Sequence, residues 1–300
     1  FADTVRRMDE PKTETLLSPS QGVHLVLPRR FLPGDHALMI PKTADGRVLF
    51  AVPWEQQVII GTTDTPVEQS SLEPRPLPEE KTFLLEHASK YLAQNPSEKD
   101  VLAVFAGLRP LVKAGQNTET ATLSREHAIF VSASGLISLT GGKWTTYRKM
   151  AKDAVDQIEK YLEKKPRECK TDNLPIHGAH GESENLPIHE HTHWSLYGTD
   201  SYEIHAITSE KPEYSEHLHP DLPYTKAEVL FHVRKEMAMT IEDVLARRTR
   251  ALILNAKASI EAAPVVAEIM AAEKNWSETY KQQQIEDYQQ LAKGYCWNTN

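Results

Sequence analysis

Residues 139–148 read LTGGKWTTYR and carry the strongest structural signal in the chain. Leu139 and Thr140 end an apolar strand, two glycines interrupt the pattern, and a helix begins at about Trp144. Glycine lets a backbone approach a ligand closely, and the first turn of a helix offers unpaired N–H groups and a positive dipole end. Lys143 adds a full charge at the same place. The stretch therefore predicts either a site for an anion or developing negative charge, or a plain glycine turn with a solvated lysine.

The part of the chain before this stretch alternates between strands and turns, with one helix. Its short apolar runs are typical of an antiparallel meander, and Ser134-Gly135 is typical of a hairpin turn. The predicted strands are 23–27, 48–52, 58–60, 101–108, 128–131 and 136–139, and the predicted helix opens at Pro78.

The part of the chain after it changes character twice. A helix is predicted over 144–164, and residues 165–222 are rich in Pro, His, Glu and Gly, which indicates a loop-rich connection with one short helix near Trp194. From Thr225 onward the pattern is helical. We therefore predict an α+β fold in which an antiparallel-sheet region precedes a small all-α domain. The predicted domain boundaries are 1–165, 166–222 and 223–300.

Within the helical region, Thr225 and Glu228 have the spacing of a capping box, in which a threonine hydroxyl caps the helix and a glutamate reaches back. Thr240 to Asp243 is predicted to start a second helix. Two further helices are predicted over 259–273 and 277–293.

Composition restricts the class of protein. The chain has 300 residues, 40% of them hydrophobic and 25% charged, which is typical of a folded globular protein. Its net charge of -8 argues against nucleic acid as a partner. Two cysteines without a CxxC pair give no disulfide framework, which favours a reducing compartment. No apolar run reaches the roughly 20 residues that span a bilayer. The first residue is Phe1 rather than Met, so we expect a longer parent protein.

Two arginines are candidate anion-binding residues. Arg109 lies at the end of an apolar strand, before a proline, and Arg125 follows in LSRE at 123–126. Two converging guanidiniums can bind one phosphate through charge-assisted, bidentate hydrogen bonds. The alternative is that each arginine pairs with a neighbouring carboxylate.

Two further candidates lie at strand positions. His24 stands in an otherwise aliphatic strand, where a histidine is either a hydrogen-bonded core residue or a base with a pKa near neutrality. Thr62 follows Gly61 at the end of another strand and offers a hydroxyl to a ligand. Turn formation alone explains those residue types equally well.

Two charged clusters are predicted to be structural. His189 and His193 have the i, i+4 spacing of a metal site, but their segment has poor helix character and no placed third ligand, so we predict a polar loop and no metal. The segment EDVLARRTR at 242–250 holds an i, i+4 pair, Asp243 and Arg247, and is predicted to tie helices together.

Taken in order, five of these motifs resemble the flavin-dependent glycerol-3-phosphate dehydrogenase family. The resemblance extends from about Ser18 to Lys293, nearly the whole chain. The motifs are GVHLVLPR at 22–29, IGTTD at 60–64, GLRPL at 107–111, GGKWTTYR at 141–148 and EDVLARRTR at 242–250.

The resemblance implies that glycerol 3-phosphate is oxidised to dihydroxyacetone phosphate, with FAD as hydride acceptor and quinone as the final acceptor. Residues 1–165 would form the substrate-binding, flavin-contacting region, and 223–300 the family's helical cap. A positive field from the glycine turn and helix start would favour the reduced flavin. By matching motifs, the catalytic residues would be His24, Arg109 and Lys143; the substrate-binding residues Arg109, Arg125 and Thr62; and the cofactor-binding residues Gly141, Gly142, Lys143, Trp144 and Thr145.

The chain departs from the family pattern in one respect. The family begins with a Rossmann-type G-x-G-x-x-G loop that binds the FAD pyrophosphate, and none of the thirteen glycines here takes that spacing. We therefore expect the chain alone neither to retain FAD tightly nor to turn over substrate. Trp144 stands where some members have a smaller aliphatic residue, so we expect packing at the flavin edge to differ from that in those members.

Alternatives to the quinone-linked enzyme stay open. One is a non-catalytic fragment or module that binds a sugar-phosphate-like anion or a protein partner, and another is a related oxidase that passes electrons to oxygen. We expect a location in the cytoplasm or at the cytoplasmic face of a membrane. Peripheral membrane contact and a homodimer are further open expectations.

Overall fold

The structure, a computed structural model, describes residues 1–41, 43, 46–113, 126–179 and 193–298. Its strands are β1 (Leu17–Pro28), β2 (Leu38–Ile40), β3 (Leu49–Trp54), β4 (Gln57–Gly61), β5 (Thr65–Pro66), β6 (Ala103–Val112), β7 (His127–Val131) and β8 (Ile137–Gly141). Its α-helices are α1 (Ala2–Asp9), α2 (Pro78–Ala88), α3 (Tyr147–Tyr161), α4 (Ser201–Thr208), α5 (Lys226–Arg234), α6 (Ala251–Leu254), α7 (Ala256–Lys274) and α8 (Glu278–Lys293).

The chain divides into two compact units, each assembled from separate stretches of sequence. Unit 1 comprises Phe1–Val23, Thr63–Pro74 and Ala106–Pro175. Unit 2 comprises His24–Thr62, Arg75–Phe105 and Ile176–Asn300. The strands β1 and β6 contribute residues to both units. The sequence-based domain boundaries at 165 and 222 stay predictions.

Unit 1 contains the predicted hairpin and a helix that the sequence did not indicate. β7 pairs antiparallel with β8 in a register that sets Ile129 opposite Leu139, which confirms the hairpin. α1 was not predicted, and Asp3 is its one buried residue, so no apolar side chain of this helix is fully buried. The Asp3 carboxylate accepts the backbone N–H groups of Leu16 (3.1 Å) and Leu17 (2.9 Å), which fastens α1 to the start of β1.

Unit 2 contains the predicted antiparallel meander. β2 pairs with β3, β3 with β4, and β4 with the second part of β1, with Ile60 opposite both Ala51 and Leu25. Residues 25–27 of β1 have no solvent exposure at all, so both faces of the strand are buried here. The branched and aliphatic side chains of this segment suit that position. The antiparallel part of the α+β prediction is confirmed.

The C-terminal helices of unit 2 enclose an apolar core with the sheet residue Val26, and fully buried side chains in it include Val229, Leu245, Val266 and Met270. α5 begins as predicted, because the Glu228 carboxylate reaches back to the Thr225 N–H at 2.7 Å. The Thr225 hydroxyl donates to the same carboxylate instead of accepting a backbone N–H. α8 matches its predicted bounds, and the α-helical C-terminal region is confirmed.

Two sequence predictions in this unit need correction. The connection was predicted to hold one short helix near Trp194, but a 3₁₀ stretch over His193–Asp200 is followed by α4. Two turns of helix with two buried isoleucines give too short a pattern to detect from sequence. The second error concerns residues 243–248, where an α-helix was expected and a π-helical turn occurs. Its i→i+5 geometry is seen in the 2.9 Å bond from Thr249 N–H to the Val244 carbonyl.

No helix in the described ranges is long and apolar enough to cross a membrane.

Candidate active site

In unit 1, Arg109 lies on β6 and is fixed by groups that follow β4 in sequence. Its Nη2 donates to the Thr63 carbonyl at 3.0 Å, and its Nη1 is 3.5 Å from an Asp64 carboxylate oxygen. Asp64 also accepts the Ser20 hydroxyl. The Arg109 side chain is 26% exposed, so it is fixed by protein contacts and only partly buried. A guanidinium carries five N–H groups in a planar fork, which suits it to bind an anion.

The glycine turn at the end of β8 is set by packing inside unit 1. Gly141 and Gly142 both have a φ of +77°, a conformation that residues with a Cβ rarely adopt. A Cβ on Gly141 would lie 2.6 Å from the Glu126 carbonyl, and one on Gly142 would lie 2.5 Å from Met150 Sδ. Close packing against the protein itself therefore accounts for both glycines, where the sequence pointed to the close approach of a ligand.

The turn also lies beside the strand that carries Arg109. The Cβ position of Gly141 is 2.9 Å from a methyl group of Val112, three residues beyond Arg109 on β6. Two of the motifs identified in the sequence, GLRPL and GGKWTTYR, are therefore neighbours within unit 1.

The helix that follows begins later than predicted. Trp144–Thr146 form a 3₁₀ turn, closed by a 3.0 Å bond from Thr146 N–H to the Lys143 carbonyl, and α3 starts only at Tyr147. Thr145 therefore lies in the 3₁₀ turn and not at the α-helix start. Trp144 is 85% exposed and stacks on Tyr147 with ring centroids 5.4 Å apart. Lys143 is exposed beside it.

In unit 2, His24 is partly exposed although the residues on either side of it in β1 are buried. Its imidazole stacks on Phe105 at 5.1 Å between ring centroids. A Cβ on Gly61 would lie 2.1 Å from a ring carbon of His24, so the glycine makes room for the ring. Thr62 follows, joined to Gly61 by a cis peptide, and is also partly exposed. His24 is thus positioned by two neighbours and is only partly buried.

Comparison with known proteins finds family matches over most of the chain. Residues 1–148 match the family model described as FAD dependent oxidoreductase, and 169–281 match the C-terminal domain of alpha-glycerophosphate oxidase. The mitochondrial glycerol-3-phosphate dehydrogenase of Mus musculus is 38% identical, over 95% of this chain and 41% of that protein. Its Homo sapiens counterpart is 37% identical over the same shares. The chain belongs to the FAD-dependent glycerol-3-phosphate dehydrogenase family.

A solved structure supports membership at the level of the fold. The glycerol-3-phosphate dehydrogenase of Bacillus halodurans, determined in complex with FAD, superposes with a TM-score of 0.81 at 29% identity. That comparison covers 99% of this chain and 61% of the other. The chain spans about two-fifths of the length of the curated glycerol-3-phosphate dehydrogenases it matches.

Several supporting residues were not identified from the sequence. The Ser20 hydroxyl donates to Asp64, and the Thr63 carbonyl accepts a hydrogen bond from Arg109. The available sequence signal for these contacts was the GTTD motif at 61–64, which begins at the last residue of β4. Beside the glycine turn, His127 Nε2 lies 3.0 Å from an Asp153 carboxylate oxygen. Hydrogen bonds from Lys149 and His127 hold the pKa of Asp153 below its usual range. The HAIF strand gave no sign of this pair, because it forms between a strand and a helix 26 residues away.

Some predicted residues lie outside the part of the chain that the structure describes. Arg125 is one, and its expected role beside Arg109 stays a prediction. His189 is another, while its partner His193 instead hydrogen-bonds the buried carboxylate of Glu228 at 3.1 Å. The Asp243–Arg247 pair is confirmed at 3.0 Å. Among described residues, no group of three His, Cys, Asp or Glu side chains is arranged to hold a metal ion.

Proposed function

We propose that this chain is the substrate-binding half of an FAD-dependent enzyme that oxidises glycerol 3-phosphate to dihydroxyacetone phosphate. The observation that carries the proposal is the Arg109 side chain, fixed by the Thr63 carbonyl and only partly buried, in a chain whose relatives are named glycerol-3-phosphate dehydrogenases. Quinone is proposed as the final electron acceptor, on the family resemblance.

In this proposal Arg109 binds the phosphate group. Its contacts to the Thr63 carbonyl and Asp64 fix the direction of the guanidinium before substrate arrives, which reduces the entropy lost on binding. Arg125 is proposed as a second phosphate ligand, and Thr62 as a hydrogen-bonding group for the substrate.

His24 is proposed as the general base. Its partly exposed imidazole can take the proton of the C2 hydroxyl while the hydride leaves from C2, so that a ketone forms. Stacking on Phe105 and contact with Gly61 hold the imidazole ring in one orientation, which a base that acts on a single hydroxyl requires. FAD, when bound, supplies the hydride acceptor.

The glycine turn is proposed to contact the flavin. Lys143 and the N–H groups of the turn over Trp144–Thr146 give a local positive charge, which favours an electron-rich cofactor edge. The exposed ring of Trp144 offers an apolar surface to the same group. These residues therefore fit FAD through their positive charge and through a ring that can stack on the flavin.

Because no G-x-G-x-x-G loop is present, we expect this chain by itself to release FAD on purification, and a stoichiometric flavin absorption band would contradict that expectation.

The central test changes Arg109 in the FAD-loaded protein that contains this chain. Arg109→Ala should raise KM for glycerol 3-phosphate strongly while FAD stays bound, because loss of a charged phosphate partner costs about 2–5 kcal/mol. Arg109→Lys keeps the positive charge but loses the planar pair of donors, so its KM should lie between those of wild type and Arg109→Ala. Unchanged kinetics in Arg109→Ala would remove Arg109 from the site.

A second test concerns His24. His24→Ala should lower kcat, and the pH dependence of kcat should lose its acid limb, because the base that titrates is gone. Wild-type turnover in this variant would assign His24 to the core of unit 2.

An oxidase is the second candidate function, because the C-terminal family model is that of an alpha-glycerophosphate oxidase. The two are separated by the product of the FAD-loaded protein in air. Stoichiometric peroxide identifies an oxidase, whereas electrons delivered only to an added quinone identify the dehydrogenase. A binding module would do neither and would still bind glycerol 3-phosphate. The cytoplasmic location, peripheral membrane contact and a homodimer stay predictions.

A further inference from the structure

Unit 2 contains a cavity of about 460 Å³ that the proposed oxidation does not use. It lies between the end of α8 and the segment that leads into α2, and its lining includes Arg75, Lys81, Lys293, Gly294 and Cys296. Three cationic side chains therefore line one cavity, and no carboxylate is among the described residues that line it. The chain as a whole carries a net charge of -8, so this concentration of positive charge is local.

Two of the three cations are held in place by backbone carbonyls and aromatic rings. Arg75 Nη2 donates to the Leu291 carbonyl at 3.0 Å, and its guanidinium lies 5.0 Å from the ring centre of Tyr295. Lys81 Nζ donates to the Trp297 carbonyl at 2.7 Å and lies 5.1 Å from the ring centre of that residue. The contact of Lys81 with the Trp297 carbonyl uses one of the three N–H donors that an ammonium carries.

The simplest structural explanation is that these cations stabilise the C-terminal end of α8, where unpaired carbonyls and the dipole favour positive charge. That explanation covers Arg75, which bonds the Leu291 carbonyl, and the charge of Lys293, which lies in the last turn of α8. It does not cover Lys81, because its acceptor, the Trp297 carbonyl, lies beyond the end of the helix. The Lys293 ammonium lines the same cavity and makes no hydrogen bond or ion pair with the described residues.

Gly294 supplies the space that the guanidinium occupies. A Cβ at this position would lie 2.2 Å from Arg75 Cζ and 2.2 Å from its Nη1. Its φ of -68° is ordinary for any residue, so backbone conformation does not require glycine here. The requirement is for a guanidinium placed against the end of the helix and beside the cavity.

We propose that this cavity binds the phosphate group of a small soluble phosphorylated compound. Phosphate offers several acceptor oxygens and up to two negative charges, which three converging cations match, and a guanidinium binds it in bidentate fashion. The cavity volume is in the range of small-molecule sites. The inference is independent of the proposed oxidation, since none of the residues assigned to that reaction lines this cavity.

Cys296 provides a readout that needs no enzyme activity. It lines the cavity and is partly buried, whereas Cys169 lies in unit 1 and serves as an internal control. The alkylation rate of each thiol by iodoacetamide is followed by mass spectrometry in orthophosphate and in chloride of equal ionic strength. Occupancy should slow alkylation of Cys296 in a saturable manner and leave Cys169 unchanged. Equal rates at Cys296 in the two salts would overturn the proposal.

Two variants make the test specific. Lys293→Gln removes one cation, and Gly294→Ala keeps every charge but displaces the Arg75 guanidinium. Each should weaken phosphate protection of Cys296 about tenfold or more, because hydrogen bonds to charged groups are among the strong ones. Lys235→Gln makes the same charge change at an exposed ion pair with Glu203. In this variant phosphate should protect Cys296 as well as it does in wild type. Unchanged melting temperatures show that each variant is folded.

The source of the phosphate is tested in the same assay. Vesicles of phosphatidylcholine with and without phosphatidylglycerol replace orthophosphate. Protection by orthophosphate supports the soluble ligand. Protection only by vesicles that contain phosphatidylglycerol would overturn it in favour of a lipid headgroup. Weakening by Lys235→Gln equal to that by Lys293→Gln would show a general charge effect and would also overturn it.

Discussion

At the scale of single residues, the carboxylate of Glu228 illustrates what a buried charge needs. Its side chain has no solvent exposure, and it accepts hydrogen bonds from Thr225 (2.7 Å to N, 3.0 Å to Oγ1), the Tyr197 hydroxyl (2.9 Å) and His193 Nε2 (3.1 Å). Burial alone would raise the pKa of Glu228, but the hydrogen bond and charge of His193, with Thr225 and Tyr197, lower it. The folded protein therefore favours the ionised form of Glu228.

Glu228→Ala should lower the free energy of unfolding by about 3–5 kcal/mol, because it leaves buried donors of three residues without their acceptor. The control is Glu268→Ala, which removes an exposed carboxylate paired with Lys281 and should cost about 0–1 kcal/mol. Urea unfolding followed by circular dichroism measures both. A cost for Glu228→Ala no larger than the control would mean that water replaces the carboxylate.

Gly142 makes a second residue-scale prediction. Gly142→Ala should destabilise unit 1 by about 1–3 kcal/mol, because alanine is strained at a φ of +77° and its methyl would meet Met150 Sδ. Gly107→Ala is the matched control: apart from its two chain neighbours, no atom of the described residues lies within 4 Å of its Cβ position, so it should be neutral or slightly stabilising. Equal melting temperatures for the two variants would show that the turn rearranges at little cost.

At the scale of secondary-structure elements, α7 contains a proline in its interior and remains one helix. Pro264 has no N–H to donate to the Ile260 carbonyl. On α8, Gln289 Nε2 donates to that carbonyl at 3.4 Å. A side chain of the neighbouring helix therefore replaces the missing bond.

Pro264→Ala should raise the free energy of unfolding by about 1–2 kcal/mol. This is less than the roughly 3 kcal/mol cost of an interior proline, because Gln289 already satisfies the carbonyl and proline restricts the unfolded chain. Gln289→Ala should cost about 0.5–1.5 kcal/mol alone and almost nothing in the Pro264→Ala background. The double-mutant cycle by urea unfolding measures this coupling, and additive effects would contradict it.

The same scale shows what the sequence could predict. The hairpin and the start of α5 were predictable because alternation, Ser134-Gly135 and the Thr225–Glu228 spacing are local signals. The π-helical turn was not, because EDVLARRTR has an ordinary helical composition and only packing selects the wider turn. α4 was missed because a helix of two turns carries little periodicity.

For the candidate site, residue types were easier to predict than the contacts that fix them. Motif matches selected Arg109 and His24, and the structure adds the groups that orient them: Thr63 and Asp64 for the arginine, Phe105 and Gly61 for the histidine. These contacts join segments dozens of residues apart, so no local pattern reports them. The sequence left two explanations of the glycines at 141–142 open, and the structure adds a third, internal packing against Glu126 and Met150.

At the scale of the whole molecule, unit 2 depends on ion pairs that titrate with acid. Beyond Glu228, the Glu236 carboxylate is 2.6 Å from His232 Nδ1. The other ring nitrogen, Nε2, is 3.2 Å from the Tyr197 hydroxyl, which gives its own proton to Glu228. The hydrogen bond from His232, with its charge and that of Arg248, lowers the pKa of Glu236.

The free energy of unfolding of unit 2 should therefore decrease in acid, because two of its paired carboxylates become protonated there. Both carboxyls have a pKa below the ordinary 4.5, so near that pH the unfolded chain binds more protons than the folded one. Their contribution is complete above about pH 5 and is lost as pH falls through the lowered pKa values. Urea midpoints for the tryptophans of unit 2 should fall steeply between about pH 5 and pH 3, and less steeply in Glu236→Gln, because that variant has one linked proton fewer. A variant curve parallel to that of wild type would show that the His232–Glu236 pair does not contribute, and would leave the acid sensitivity to carboxyls elsewhere.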